Sequence, residues 1–179
     1  MKIVLIGIQG SGKSTQGNLL SEKLQVPYLS TGHIFRELAK GHDAVGRYIK
    51  ETMNAGYLIP DEKTLEIVNE YLSKPEYEKG YILDGFPRTR GQAEAFRNGI
   101  AAVVYIKVTD EVALHRLTLR NDGREDETPP ALMKRIELFH KFTKPVLDYY
   151  SEKGILHEID GEGSIEEIHK EICQVLGLK

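Results

Sequence analysis

The chain has 179 residues, 40% of them hydrophobic and 28% charged, with a formal net charge of -3. That length suits one domain that buries its own core, and the charge balance supplies no global positive field for nucleic acid or a membrane surface. The lone cysteine, Cys173, excludes an intramolecular disulfide, suits a reducing compartment and reads as a small buried hydrophobe on the last helix.

KIVLI (2–6) is an uninterrupted, β-branched-rich run, the pattern of a strand buried on both faces. The run stops at Ile8, too short and without a cleavage site for a secretory signal, and no segment reaches the ~20 apolar residues of a membrane helix, so a cytoplasmic location is expected. Residues 14–25 carry Leu19, Leu20 and Leu24 at helical spacing, and Pro27 ends that helix. VPYLS (26–30) is a second strand. Residues 31–56 hold two short helices broken around Gly41, the second closed by Gly56. Asp61 is expected to cap EKTLEIVNEYL, where Leu65, Val68 and Leu72 share a face.

YILD (81–84) is the third strand, followed by a helix over 89–97. AAVVYIKV (101–108) is the fourth, with Asp110 expected to cap EVALHRLTLR. NDGREDETPP (121–130) is a loop or lid. Residues 131–153 read as one long helix interrupted by Pro145, GILHEI (154–159) is the fifth strand, and Ser164 caps the last helix. Strands alternating with helices imply a parallel α/β sandwich, with 2–6 and 81–84 adjacent at the centre of its sheet.

Gly7-Ile8-Gln9-Gly10-Ser11-Gly12-Lys13-Ser14 fits G-x-x-x-x-G-K-[ST] between a strand and a helix. Glycines let backbone N–H groups turn inward around an anion, the helix adds its N-terminal dipole, and Lys13 adds a full charge. The Ser14 hydroxyl stands where a Mg²⁺ contact is expected, and Asp84, at the end of the third strand, can hold a Mg²⁺-bound water. No Asn-Lys pair occurs, which argues against a guanine-reading GTPase. Arg36, Arg88, Arg120, Arg124 and Arg135 all fall at loops or helix ends near these motifs. Their planar forks suit a site for several phosphate groups, as phosphoryl transfer needs.

GIQGSGKSTQ (7–16), LSTGHIFRE (29–37), GYLIPDE (56–62), ILDGFPRTRGQAE (82–94), LTLRNDGREDE (117–127), KRIELFHKFTKPVLDYY (134–150) and DGEGSIEEI (160–168) together resemble an adenylate kinase of the nucleoside monophosphate kinase family, in family order over nearly the whole chain. The resemblance implies a P-loop fold with a five-stranded parallel sheet, and the reaction MgATP + AMP ⇌ 2 ADP. It implies ATP contacts from Gly10, Ser11, Gly12, Lys13, Ser14 and Thr15, with Arg116 and Gly163 at the ATP base and Arg120 at the phosphates. It implies AMP contacts from Thr31, Arg36, Tyr57, Leu58, Ile59, Gly85, Phe86, Pro87, Arg88, Gln92, Arg124 and Arg135. The catalytic set would be Lys13, Asp84, Arg88, Arg120, Arg124 and Arg135.

The chain departs from the family pattern in three places: Ser14 where Gly is usual, His33 for Asp, and the stretch Glu125-Asp126-Glu127 where paired aspartates are usual. Three residues separate Arg120 from Arg124, and the lid has no Cys or His, so the short-lid form without zinc is expected. The expected organisation is one domain over 1–179, with an AMP-binding insert at about 30–59 and a lid at about 121–130. A monomer is the family default. Thr31 and Thr89 favour AMP over the pyrimidine acceptors of related kinases. The presence of Lys13, Arg88 and the lid arginines argues against a catalytically weak nucleotide-binding protein.

Overall fold

The computed structural model describes residues 1–119 and 126–178. Strands β1 (Lys2–Ile6), β2 (Tyr28–Ser30), β3 (Tyr81–Asp84), β4 (Ala102–Lys107) and β5 (Leu156–Asp160) form one sheet in the order β2-β3-β1-β4-β5, every pair parallel. β1 is central and pairs with β3 from Lys2↔Tyr81 to Leu5↔Asp84, as their apolar runs led us to expect. Successive side chains leave opposite faces. Val4 and Ile6 therefore join Leu83, Val103 and Tyr105 in one core, while Ile3 and Leu5 join Ile82, Val104 and Ile106 in the other.

The second core is covered by Leu20 of α1 (Lys13–Leu24) and by Ile168 and Ile172 of α9 (Ile165–Val175). The first is covered by α2 (Thr31–Leu38), α3 (Ala44–Asn54), α4 (Asp61–Leu72), α5 (Arg90–Ala95), α6 (Asp110–Thr118), α7 (Pro129–Leu138) and α8 (Lys144–Glu152). Asp43 caps α3 by accepting from the Gly46 N–H at 2.7 Å, which restarts the chain after the break at Gly41. Ser164 caps α9 in a reciprocal box with Glu167, as expected.

Two expected caps are corrected. Asp61 is the first helical residue of α4, behind Pro60, and its carboxylate accepts from the side chains of Thr89 and Gln92. Thr109, not Asp110, caps α6: its extended backbone brings Oγ1 3.3 Å from the Val112 N–H, while Asp110 meets His140 Nε2 at 2.9 Å. In both cases the acid sits one residue inside the helix, where the dipole favours it without a capping bond. The long pattern over 131–153 begins at Pro129 and is divided by a π-helical turn, Phe139–Thr143. Pro145 has no N–H to continue the ladder, so it falls in the first turn of a new segment, α8.

Parallel strands deliver their following loops to one edge. The loop after β1 and the loop after β3 lie side by side there because β1 and β3 are paired.

Candidate active site

Gly10 (φ 91) and Gly12 (φ 93) both adopt the left-handed backbone that favours glycine. A Cβ on Gly10 would also lie 2.5 Å from the Ala113 carbonyl oxygen, because α6 packs against the loop; one on Gly12 meets nothing within 4 Å. Gly12 is the N-cap of α1 and brings no side-chain cap, and the first turn carries no acidic residue. The helix end thus turns its N–H groups and partial positive charge on open space. Lys13 Nζ donates to the carbonyls of Gly7 (2.8 Å) and Ile8 (3.0 Å), so the ammonium is folded over its own loop.

Asp84 closes β3 and is 5% exposed. Its Oδ2 accepts from the Tyr28 hydroxyl at 2.7 Å, while the buried Oδ1 has no hydrogen-bond partner among the described residues. Burial, and then the Asp84 charge, hold the Tyr28 phenol well above its ordinary pKa, so it remains a donor. An orphaned carboxylate oxygen at this edge fits a hard cation or the cation's water. Among the described residues, no group of three or more His, Cys, Asp or Glu side chains could hold a metal ion. A Mg²⁺ would therefore share its coordination with ligand phosphates and water.

Gly85 follows with φ 81, and a Cβ there would lie 2.5 Å from Thr31 Oγ1. The Thr31 hydroxyl itself donates to the Asp84 carbonyl at 3.2 Å. Arg88 Nε donates to the Gly85 carbonyl at 2.8 Å, and the Arg88 carbonyl accepts from Thr143 Oγ1 at 2.9 Å, so the π-helical turn buttresses the arginine. Burial, with the positive charge of Arg135 beside it, pulls the Arg88 guanidinium down to about 10. It remains charged at neutral pH, in a position where a further anion is favourable.

Arg135 joins three parts of the chain. Its Nη1 donates to Gln9 Oε1 (3.0 Å) in the loop after β1, and its Nη2 to the Met53 carbonyl (3.1 Å) in α3 and to Asp126 Oδ2 (2.6 Å) just before α7. Arg36 Nη1 lies 3.8 Å from the same Asp126 oxygen, and Gln9 Nε2 donates to Glu127 Oε1 at 2.6 Å.

One cleft is lined by Gly10, Gly12, Lys13 and Ser14 of the loop after β1 and the start of α1, by Asp84, and by Thr31, Arg36, Tyr57, Leu58, Ile59, Gly85, Phe86, Pro87, Arg88, Gln92 and Arg135. Ser11 is buried, its Oγ without a hydrogen-bond partner among the described residues, and Thr15 is exposed on α1; neither lines the cleft. Arg116 and Gly163 do not line it; Arg116 Nη1 donates to the carbonyl of Gly161, two residues before Gly163, at 2.8 Å. Gln92 does not offer a wholly free amide, since Oε1 accepts from the Arg88 N–H (2.7 Å) and Nε2 donates to Asp61 Oδ1 (2.8 Å). Arg120, Arg124 and residues 121–125 of the expected lid lie outside the described residues. Sequence reasoning missed Gln9, Tyr28, Asp61, Asp126 and Thr143. Gln9 is an x of its motif, and the others reach the site only through partners distant in the chain.

The protein-family model described as Adenylate kinase matches residues 5–155. An adenylate kinase of Staphylococcus aureus (strain MW2) is 36% identical, over 98% of this chain and 99% of its own. Those of Clostridium beijerinckii (35%, 99% of each chain) and Caldicellulosiruptor bescii (36%, the whole of each) are similarly related. The last alignment spans 215 positions against 179 residues here, so that relative carries residues this chain lacks.

Proposed function

The chain belongs to the adenylate kinase family, and on that premise we propose the reading its cleft supports best. It is a phosphotransferase that moves the γ-phosphoryl group of ATP reversibly to AMP, giving two ADP. The carrying observation is the charge arrangement. Arg88 and Arg135 stand close enough for one to depress the pKa of the other, in the cleft that Gly10, Gly12 and Lys13 also line.

In this reading Gly10, Ser11, Gly12, Lys13, Ser14 and Thr15 surround the ATP phosphates, and Arg116 and Gly163 flank its base. Thr31, Arg36, Gln92 and the segments 57–59 and 85–88 hold AMP. An AMP phosphate oxygen attacks the γ-phosphorus in line. The bond from that phosphorus to the β,γ-bridging oxygen breaks, and its electron pair leaves with ADP. The attacking oxygen is already anionic near pH 7, so no side chain need take a proton. Lys13, Arg88 and Arg135, with Arg120 and Arg124 from the lid, meet the negative charge spread over the transferring group. Ser14 and Asp84 are the residues that would hold Mg²⁺, which supplies charge neutralisation along the phosphates when bound. The insert at about 30–59 and the lid at about 121–130 close over the substrates and exclude water. No helix among the described residues is long and apolar enough to cross a membrane. A cytoplasmic monomer without zinc completes the reading.

Coupled assays with ATP as donor and AMP, CMP or UMP as acceptor test it. AMP is expected to be preferred strongly, and equal efficiency for all three would overturn the assignment.

A further inference from the structure

We propose that Asp61 is a positioning residue that fixes the polarity of the Gln92 amide. The acceptor site would thereby select a base that pairs an exocyclic donor with a ring acceptor. The inference rests on the adenylate kinase reading, in which Gln92 faces the acceptor base.

Gln92 is 2% exposed and lines the cleft. Its Nε2 donates to Asp61 Oδ1 at 2.8 Å, and its Oε1 accepts from the Arg88 N–H at 2.7 Å. A carboxylate can only accept and a backbone N–H can only donate. An amide turned over would set oxygen against carboxylate and NH₂ against N–H, and both bonds would be lost. Asp61 is itself held: its Oδ2 accepts from Thr89 Oγ1 at 2.7 Å, and it opens α4, where the helix end favours its charge. Thr89 Oγ1 in turn accepts from the Gln92 N–H at 3.1 Å, which closes the ring of bonds between α4 and α5.

A primary amide has two N–H donors and two acceptor lone pairs. Asp61 takes one donor and Arg88 supplies one acceptor's partner, so one of each remains, in an order the ring dictates. Adenine offers an amino N–H beside a ring-nitrogen lone pair and matches that order. Hypoxanthine and guanine offer an oxo group beside a ring N–H, the reverse, and so does uracil. Cytosine has adenine's polarity, so its rejection depends on ring size. The bond from the Arg88 N–H also ties the residue that reads the base to the one that grips the phosphate.

The test is kcat/KM for AMP and for IMP, with ATP as donor, in wild type, Asp61→Asn, Gln92→Leu and the double variant. IMP differs from AMP only at the 6-position and the adjoining ring proton, so size and phosphate are matched. An asparagine at 61 can donate as well as accept, which leaves the Arg88 N–H alone to set the amide's order. The AMP-over-IMP ratio is expected to fall about tenfold in Asp61→Asn, chiefly through KM. It is expected to collapse in Gln92→Leu, and to change no further when Asp61→Asn is added to that background. A purely structural role would lower both acceptors equally. An unmoved ratio, or an Asp61→Asn effect that persists without Gln92, would overturn the proposal. The ratio is read on one preparation and does not depend on the fraction folded; should Asp61→Asn yield no folded protein, Asp61→Ser is read the same way. A wild type that fails to use AMP would instead overturn the kinase reading.

Discussion

Arg135 Nη2 and Asp126 Oδ2 lie 2.6 Å apart, with side chains only 11% and 7% exposed. The same carboxylate is 3.8 Å from Arg36, so one acid stands against two of the arginines assigned to the acceptor side. Its neighbour Glu127 is tied to Gln9 in the phosphate loop. Asp126 and Glu127 therefore supply counter-charge to a site designed, in our reading, for phosphates, and an incoming phosphoryl group must share or displace it.

Asp126→Asn is expected to cost about 2–4 kcal/mol, because guanidinium groups in a largely buried setting lose their partner charge. Urea unfolding measures the loss. Added inorganic tripolyphosphate is expected to raise Tm more in the variant than in wild type, since it restores the missing negative charge. Equal shifts would show that Asp126 is not the counter-charge.

Arg88→Lys is expected to lower kcat by about a hundredfold or more while changing stability by about 1 kcal/mol. The fork is lost, and so is part of the charge. The burial and the Arg135 charge that bring Arg88 down to about 10 would act on a lysine, whose ordinary pKa is lower. Residual activity of the variant is expected to fall from pH 7 to pH 9 relative to wild type. A parallel pH profile would remove the charge argument.

Stability is expected to decline above about pH 10. Burial pushes the Tyr81 phenol up to about 12 and holds the Tyr28 and Tyr150 phenols above their ordinary range as well. The unfolded chain then loses these protons near the ordinary value while the folded chain keeps them. The stabilisation is complete below the unfolded pKa and lost as pH rises toward the folded ones. Chemical unfolding at pH 9, 10 and 11, with phenolate absorbance followed alongside, checks the direction.

EDTA is expected to abolish phosphoryl transfer and Mg²⁺ to restore it. Asp84→Asn should raise the Mg²⁺ concentration needed for half-maximal rate by about tenfold, since the orphaned carboxylate oxygen becomes an amide atom without charge. An unchanged Mg²⁺ requirement would remove Asp84 from the cation's surroundings.

Much of the fold was legible because the relevant physics is local. An apolar run without polar interruption suits a strand covered on both faces, and KIVLI and YILD are central neighbours in the sheet. The glycines of the phosphate loop declared themselves because a left-handed backbone is open to few other residues. Where a local rule had two solutions, it misled. Asp61 and Asp110 both sit where a cap could be, and each lies one residue inside its helix.

By itself, then, the sequence determined the alternation of strands and helices, the left-handed glycine loop between β1 and α1, and the turn that presents Arg88. Each depends on residues within one turn or one strand of each other. Tertiary structure alone decided that Tyr28 would hold Asp84, that Asp61 would orient Gln92, and that Arg135 would gather Gln9, Met53 and Asp126. Tyr28 reaches Asp84 because β2 pairs with β3, and Asp61 reaches Gln92 because α4 and α5 lie against each other. A carboxylate's local sequence states its charge. Which donor it meets is settled by the packing of elements far apart in the chain, and no periodicity in the residues records that.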